Sequence, residues 1–298
     1  MIIYHILYII RKSRKFMTYT LNPNAMYMMP IHFGPMCGPR QGPGGKKFAF
    51  STDKRKITNF SVSFLTNASQ LQKLLPPGFE LTGEPVVTIF ETFMKEIDWL
   101  AGRGYNVLGV TFPVIYNGTR DRATGPFLTV LWENLTDPIL TGREQLGFSK
   151  VYCDLPEPNI YGGETHCTAS WMGFRFLDLK LKELKEIDPE ENSPIVNEHE
   201  EDLLRGTIHY KYIPKTGEWG KADAEYAVLS PDPDKPSPPE RLFTAIGEVK
   251  FHKARWEDLP TQHMIINTLH ELEILEYRGA RMETRTGWGD HGDQRILL

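Results

Sequence analysis

Lys150 stands in chemically unusual company. It closes an apolar-rich stretch, 137–152, with Phe148 before it, Val151-Tyr152 after it, and glycines at 142 and 147. Loss of water disfavours an ammonium ion. A lysine held in such surroundings can present a neutral amine, which is a nucleophile toward carbonyl carbon. The competing reading lays the stem on apolar surface and leaves the head in water. Glu91 raises a similar question, because it interrupts the apolar run 86–94. A carboxylate there is costly to bury unless it is paired or protonated. Turned inward, it would hold its proton more tightly and could handle protons or orient a substrate; turned outward, it is a solvated side chain. Arg143 and Glu144 are neighbours just before the lysine. They read either as a structural ion pair or, for Arg143, as a group facing a substrate carboxylate.

Other chemistries leave no trace. No Gly-x-Gly-x-x-Gly follows a strand pattern, and there is no phosphate loop and no Gly-x-Ser-x-Gly elbow. None of the nine histidines forms a His-x-His or His-Glu-x-x-His pair, so each reads as structural. Cys37, Cys153 and Cys167 are an odd count without Cys-x-x-Cys spacing. That excludes a disulfide framework and a zinc site, and points to a reducing, cytoplasmic setting. The net charge is −4, with no basic tract interleaved with aromatics, which argues against nucleic acid as a partner. Residues 1–10 are apolar and are followed by Arg11, Lys12, Arg14 and Lys15. The run is too short to span a bilayer. Its basic flank follows the apolar run, the reverse of a signal peptide, so no firm membrane association is expected.

The elements that must position these residues are mostly strands. Residues 22–47 are rich in Pro and Gly and read as irregular chain draped over the body or used in subunit contacts. Phe60, Val62 and Phe64 alternate with serines, predicting a strand over 58–66. Asn67 or Ser69 caps a short helix with Leu71, Leu74 and Leu75 on one face, stopped by Pro76-Pro77-Gly78. Strands are predicted over 86–94, 107–116, 127–133, 165–177, 205–213, 224–229, 243–256 and 272–280. A charged helix or loop is expected over 180–188, a proline-rich loop over 230–240 and a helix over 259–271. No strand–helix alternation appears, so a doubly wound sheet is excluded, and an antiparallel barrel or closed β-sandwich fits best.

The segment Thr141-Gly142-Arg143-Glu144-Gln145-Leu146-Gly147-Phe148-Ser149-Lys150 resembles the one that ends in the Schiff-base lysine of the acetoacetate decarboxylase family. Residues 87–91 resemble that family's strand with an inward glutamate. Residues 113–118, 210–217 and 249–259 resemble its later strands and turns, in order, over 48–280. The resemblance implies a mainly β, α+β fold: a closed, cone-like antiparallel β-barrel with an interior pocket and a few peripheral helices, assembled into homo-oligomers. It sets 1–47 as an irregular N-terminal extension, 48–280 as a single domain and 281–298 as a loose polar tail. It implies decarboxylation of a 3-oxo acid without metal or organic cofactor, the substrate being acetoacetate-like or a larger polyketide-derived acid of secondary metabolism. Lys150 would be the nucleophile, Glu91 the proton-handling or orienting group and Arg143 a carboxylate partner. Two alternatives stay open: aldolase-dehydratase chemistry on 2-oxo acids with the same lysine, and a barrel that only binds a small acid.

The chain departs from the family pattern at three places. Val151 stands where better-known members carry a second lysine, so burial rather than a neighbouring cation would have to free the Lys150 amine. Asn106 or Val107 stands where they carry a second acid. Their substrate-facing arginine near the first strand has only Arg55 as a counterpart, out of register.

Overall fold

The computed structural model describes residues 20–48, 52–190, 203–233, 238–288 and 293–298. The apolar run 1–10 with its basic flank, and 234–237 of the proline-rich loop, lie outside the described residues. The strands are β1 (Thr52–Leu65), β2 (Phe79–Leu81), β3 (Val86–Ile97), β4 (Arg103–Asn117), β5 (Arg122–Glu133), β6 (Lys150–Tyr152) and β7 (Asn159–Tyr161). They continue as β8 (Glu164–Trp171), β9 (Phe174–Ile187), β10 (Leu203–Pro214), β11 (Ala222–Pro231), β12 (Arg241–Phe251), β13 (Glu276–Trp288) and β14 (Arg295–Ile296). The hydrogen-bonded order is β14-β11-β10-β5-β4-β3-β1-β13-β12-β9-β8-β7, with β2 on β4 and β6 on β5.

The fold is mainly β, as expected; closure of a barrel is not seen among the described residues, and the all-antiparallel expectation is corrected. Among the described residues the path ends at β14 and β7, and no ladder joins those ends. The sheet is also mixed, because β10 and β6 both run parallel to β5. A parallel return needs a long crossover. Residues 134–149 supply one, containing the Thr136–Thr141 helix and a π-helical turn, Gly142–Leu146.

Side chains alternate between the two faces of a strand, and the register here sorts them cleanly. Phe60 pairs with Glu91, Glu91 with Leu108, and Leu108 with Trp132; the row lies wholly in the main core. One residue along, Ser61 pairs with Phe90, Phe90 with Gly109, Gly109 with Leu131 and Leu131 with Lys150. That second row belongs to the opposite face. A Cβ on Gly109 would lie 2.1 Å from the Phe90 ring, so this glycine makes the room the ring occupies.

Several sequence expectations fail for identifiable reasons. The strand expected over 165–177 is a hairpin that turns at Met172-Gly173, where both residues have positive φ, 48° and 88°. Two such central residues are the signature of a tight two-residue hairpin. The charged stretch expected over 180–188 is strand to Ile187, the end of β9: Leu177, Leu179 and Leu181 are buried, and Asp178, Lys180 and Lys182 alternate with them. The described part of the tail, 281–288 and 293–298, is not loose. β13 runs on to Trp288, β14 pairs with β11, Leu297 is buried, and the Leu298 carbonyl accepts from the amides of Arg120 and Asp121. The described part of the N-terminal segment is irregular, as expected, but it is packed. Gln41 is buried and its side chain bonds the backbone of Met26 and Met36. The Ala68–Gln72 helix is capped as expected by Asn67, whose side chain accepts from the Ser69 amide.

Candidate active site

Lys150 opens β6, and its position is over-determined by the turn before it. Gly147 ends the π-helical turn in the left-handed region, φ 83°, which glycine adopts without strain. The Phe148 amide then bonds the Gly142 carbonyl and the Leu131 amide bonds the Ser149 carbonyl, which lays β6 beside β5. π-Helical turns occur disproportionately at functional sites. The open carbonyls of this one are met by one cation and a ring: Lys211 Nζ donates to Glu144 and Gln145, and His209 Nε2 is 2.9 Å from the Leu146 carbonyl. The His209 ring also stacks on Phe148, 4.1 Å between centroids.

The Lys150 side chain enters a cavity of about 540 Å³ and is 9% exposed. Its Nζ lies 2.7 Å from Glu133 Oε1, donates to the Pro138 carbonyl at 3.1 Å, and stands 5.5 Å from the centre of the Phe148 ring. Glu133 is 1% exposed. An amine and a carboxylate at hydrogen-bond distance in a mostly apolar enclosure can exchange a proton directly, which leaves a neutral nucleophile and a neutral acid. The walls are Ile57, Phe90, Met94, Tyr105, Val107, Leu128, Leu131 and Leu146; Arg40, Arg55, Glu283 and Arg285 add charge. Four cations therefore face two carboxylates, which favours an anionic occupant.

Gly142 packs directly on the lysine. A Cβ there would come within 2.5–2.7 Å of Lys150 Cδ, Cε and Nζ. Its own backbone is ordinary helix, φ −66°, so alanine is not strained and gains helix propensity of up to about 1 kcal/mol. Gly142→Ala should thus keep the fold, with the propensity gain offset by displacement of the Lys150–Glu133 pair, and turn over about 100-fold more slowly, the cost of moving a reacting atom by about 1 Å. Thermal melts with initial rates on one preparation check this; a variant of unchanged rate removes the requirement.

The residues singled out from sequence divide. Lys150 is in the cavity. Glu91 is not: the cavity takes Thr88, Phe90, Thr92 and Met94 from β3, and Glu91 points from the other face into the core. Burial alone pushes its pKa up to about 8, and neither carboxylate oxygen has a hydrogen-bond partner among the described residues. The expectation that it handles protons beside Lys150 is corrected by this alternation. Arg143 is also turned away. Its Nη1 donates to the main-chain carbonyl of Lys150 at 2.7 Å, and its side chain lines a separate cavity together with Val151. The expected wall beside the amine is therefore Phe148 rather than Val151.

Glu133 was missed, and Arg55 was named but set out of register. Glu133 sits at the end of its strand, and only the parallel β5–β6 pairing brings it to the lysine. Arg55, 3% exposed, lines the cavity with Ile57, Asn59 and Ser61, every second residue of β1. The same alternation would have found it had the strand been read from 52 rather than 58. Pro39 and Arg40 come from the segment set aside as an extension, and the Arg40 guanidinium donates to the Gln145 side chain. Val107 takes the cavity position expected of a second acid, while Asn106 bonds the Leu155 carbonyl. Among the described residues no three His, Cys, Asp or Glu side chains are grouped to hold a metal, and no helix is long and apolar enough to cross a membrane.

Comparison with known proteins agrees with this architecture. An acetoacetate decarboxylase of Clostridium botulinum strain Eklund 17B is 28% identical over 137 residues, 43% of this chain. The match spans 52% of that enzyme, about half its length. The crystal structure of acetoacetate decarboxylase from Legionella pneumophila has a TM-score of 0.61 at 16% identity, covering 87% of this chain and 94% of that one. The enduracididine biosynthesis enzyme MppR in complex with pyruvate has a TM-score of 0.59 at 16% identity, covering 88% and 98%. At these identities the two structures speak for the fold. Residues 29–292 match the family description "Acetoacetate decarboxylase (ADC)", and on that span the chain belongs to the acetoacetate decarboxylase family.

Proposed function

We propose that the chain is a Schiff-base decarboxylase of a 3-oxo carboxylic acid. The observation that carries this is the Lys150–Glu133 contact of 2.7 Å inside a cationic, largely apolar cavity. Glu133 takes a proton from Nζ, and the freed amine attacks the ketone carbon of the substrate. The carbinolamine loses water, with its proton supplied by Glu133, and leaves an iminium. The bond to the carboxylate then breaks, its electron pair moves to the iminium nitrogen, and carbon dioxide departs. The resulting enamine is protonated on carbon, and water releases the ketone and restores Lys150. The iminium is the electron sink, so the scheme needs no metal or organic cofactor. Arg55 and Arg40 are placed to hold the substrate carboxylate before it leaves. A cavity of about 540 Å³ is in the range, roughly 300–1,000 Å³, that houses drug-sized ligands. The cavity has room for a substrate larger than acetoacetate, with an apolar tail against Phe90, Met94, Tyr105 and Leu128.

Borohydride reduction in the presence of a panel of 3-oxo and 2-oxo acids tests this. The expected result is a single reduced adduct on Lys150, carbon dioxide release with a 3-oxo acid, and neither in Lys150→Ala of unchanged fold. An adduct elsewhere, or none with any acid, would overturn it. The loss of a second acid at Val107 favours a second reading, in which the same lysine condenses a 2-oxo acid with an aldehyde. Carbon dioxide release from a 3-oxo acid without any aldehyde excludes that as the main reaction.

A further inference from the structure

Behind Lys150 lies a second cavity of about 560 Å³, sharing only Phe148 with the first. Its floor and walls are apolar, with Leu74, Val130, Ile213, Met264, Ile265 and Leu269 among them. It contains two cations, Arg143 and Lys211, and among the described residues no acidic side chain lines it. Lys211 is 7% exposed. Each cation spends part of its donor capacity on main-chain carbonyls. Arg143 Nη1 bonds Lys150, and Lys211 Nζ bonds Glu144 and Gln145 and faces the Tyr226 ring at 5.8 Å. Carbonyl dipoles orient a cation but leave its charge uncancelled. A guanidinium has five donors and an ammonium three, so both groups retain capacity for an anion. Positive charge in an otherwise apolar cavity, with no carboxylate among its described lining residues, is the complement of an amphiphilic acid.

We infer that this second cavity binds an aliphatic carboxylate of medium chain length, its carboxylate on Arg143 and Lys211 and its tail against the His263–His270 helix. The site is chemically separate from the lysine cavity, and its existence does not depend on the reaction assigned there. The tail meets Ile265 and Leu269, with Met264 and Thr268 at the exposed rim. A like charge or a bulky ring at that rim blocks entry without disturbing the core.

Decanoate is the probe, titrated calorimetrically into the full chain at low salt. The expected result is a bound equivalent beyond any taken up by the lysine cavity, its affinity reduced at least tenfold in Met264→Glu and again in Thr268→Trp. Lys150→Met should bind within twofold of the parent, and decanol at least tenfold more weakly than decanoate. The two rim variants alter exposed side chains, so loss of binding with an unchanged melting temperature is attributable to the cavity. Unaltered affinity in both rim variants would place decanoate elsewhere and overturn the inference, as would absence of binding by the parent. Equal affinity for decanol would remove the role of the cations. If sedimentation instead showed Met264→Glu dissociating an oligomer of the parent, the cavity would be the seat of a second copy, and the inference would fall.

Discussion

Glu133→Gln should lower kcat by about 10²- to 10⁴-fold, the usual worth of a positioned acid-base group. The glutamine amide keeps the shape and can still accept a hydrogen bond from Nζ, but it cannot take the proton. Solvent must then remove it, and only a residual rate survives. KM should change little if Arg55 and Arg40 hold the substrate carboxylate, because those groups are untouched. A variant that keeps the parent rate would remove Glu133 from the reaction.

The same substitution tests the energetics of the pair. Lys150 and Glu133 are 9% and 1% exposed at the side chain, so each charge depends on the other. Breaking a buried pair by removing one partner costs about 3–5 kcal/mol, whereas removing both is often neutral. Glu133→Gln should therefore be markedly less stable in urea, and Glu133→Gln with Lys150→Met should recover most of the lost stability without recovering activity. Equal destabilisation in the single and double variants would mean that the loss comes from packing rather than from an uncompensated ammonium.

Residue spacing and the family resemblance were enough to find Lys150 and most of the strands, because both are local properties of the chain. What surrounds the lysine was not local. Glu133 reaches it only through a parallel pairing across a 16-residue connection, residues 134–149, and nothing in the alternation of β5 announces which strand will lie alongside. Glu91 illustrates a different failure. A one-residue change of register moves a side chain to the other face, and the sequence of β3 is apolar on both faces: Ile89 and Phe93 face the core, Phe90 and Met94 the cavity. With no polar face to orient the strand, the pattern could not say which way a lone carboxylate points. Arg55 fell outside a strand whose first turn of alternation is written in charged residues, Lys54, Arg55 and Lys56. Closure could not be read either, since it depends on whether the two terminal strands of the path meet.

Glu91 consequently becomes a test of stability rather than of catalysis. Its pKa in the folded protein is pushed from 4.5 up to about 8 by burial. Between those values the folded state holds a proton that the unfolded chain has released. Fewer protons are bound on unfolding, so stability falls as pH rises through this window, and the loss is complete above about pH 8. At 1.36 kcal/mol per pH unit the full span is worth about 5 kcal/mol. Glu91→Met keeps the length of the side chain and removes both the ionisable group and two carboxyl oxygens without hydrogen-bond partners among the described residues. The variant should be more stable than the parent at every pH, and its advantage in urea unfolding should grow by several kcal/mol between pH 5 and pH 8. Parallel pH profiles for the two proteins would show that Glu91 is not held protonated by the core. Activity should survive within a few-fold, because the carboxyl group lies on the far face of β3 from Lys150. An inactive Glu91→Met of normal stability would return this residue to the reaction and require the strand to present its other face to the cavity.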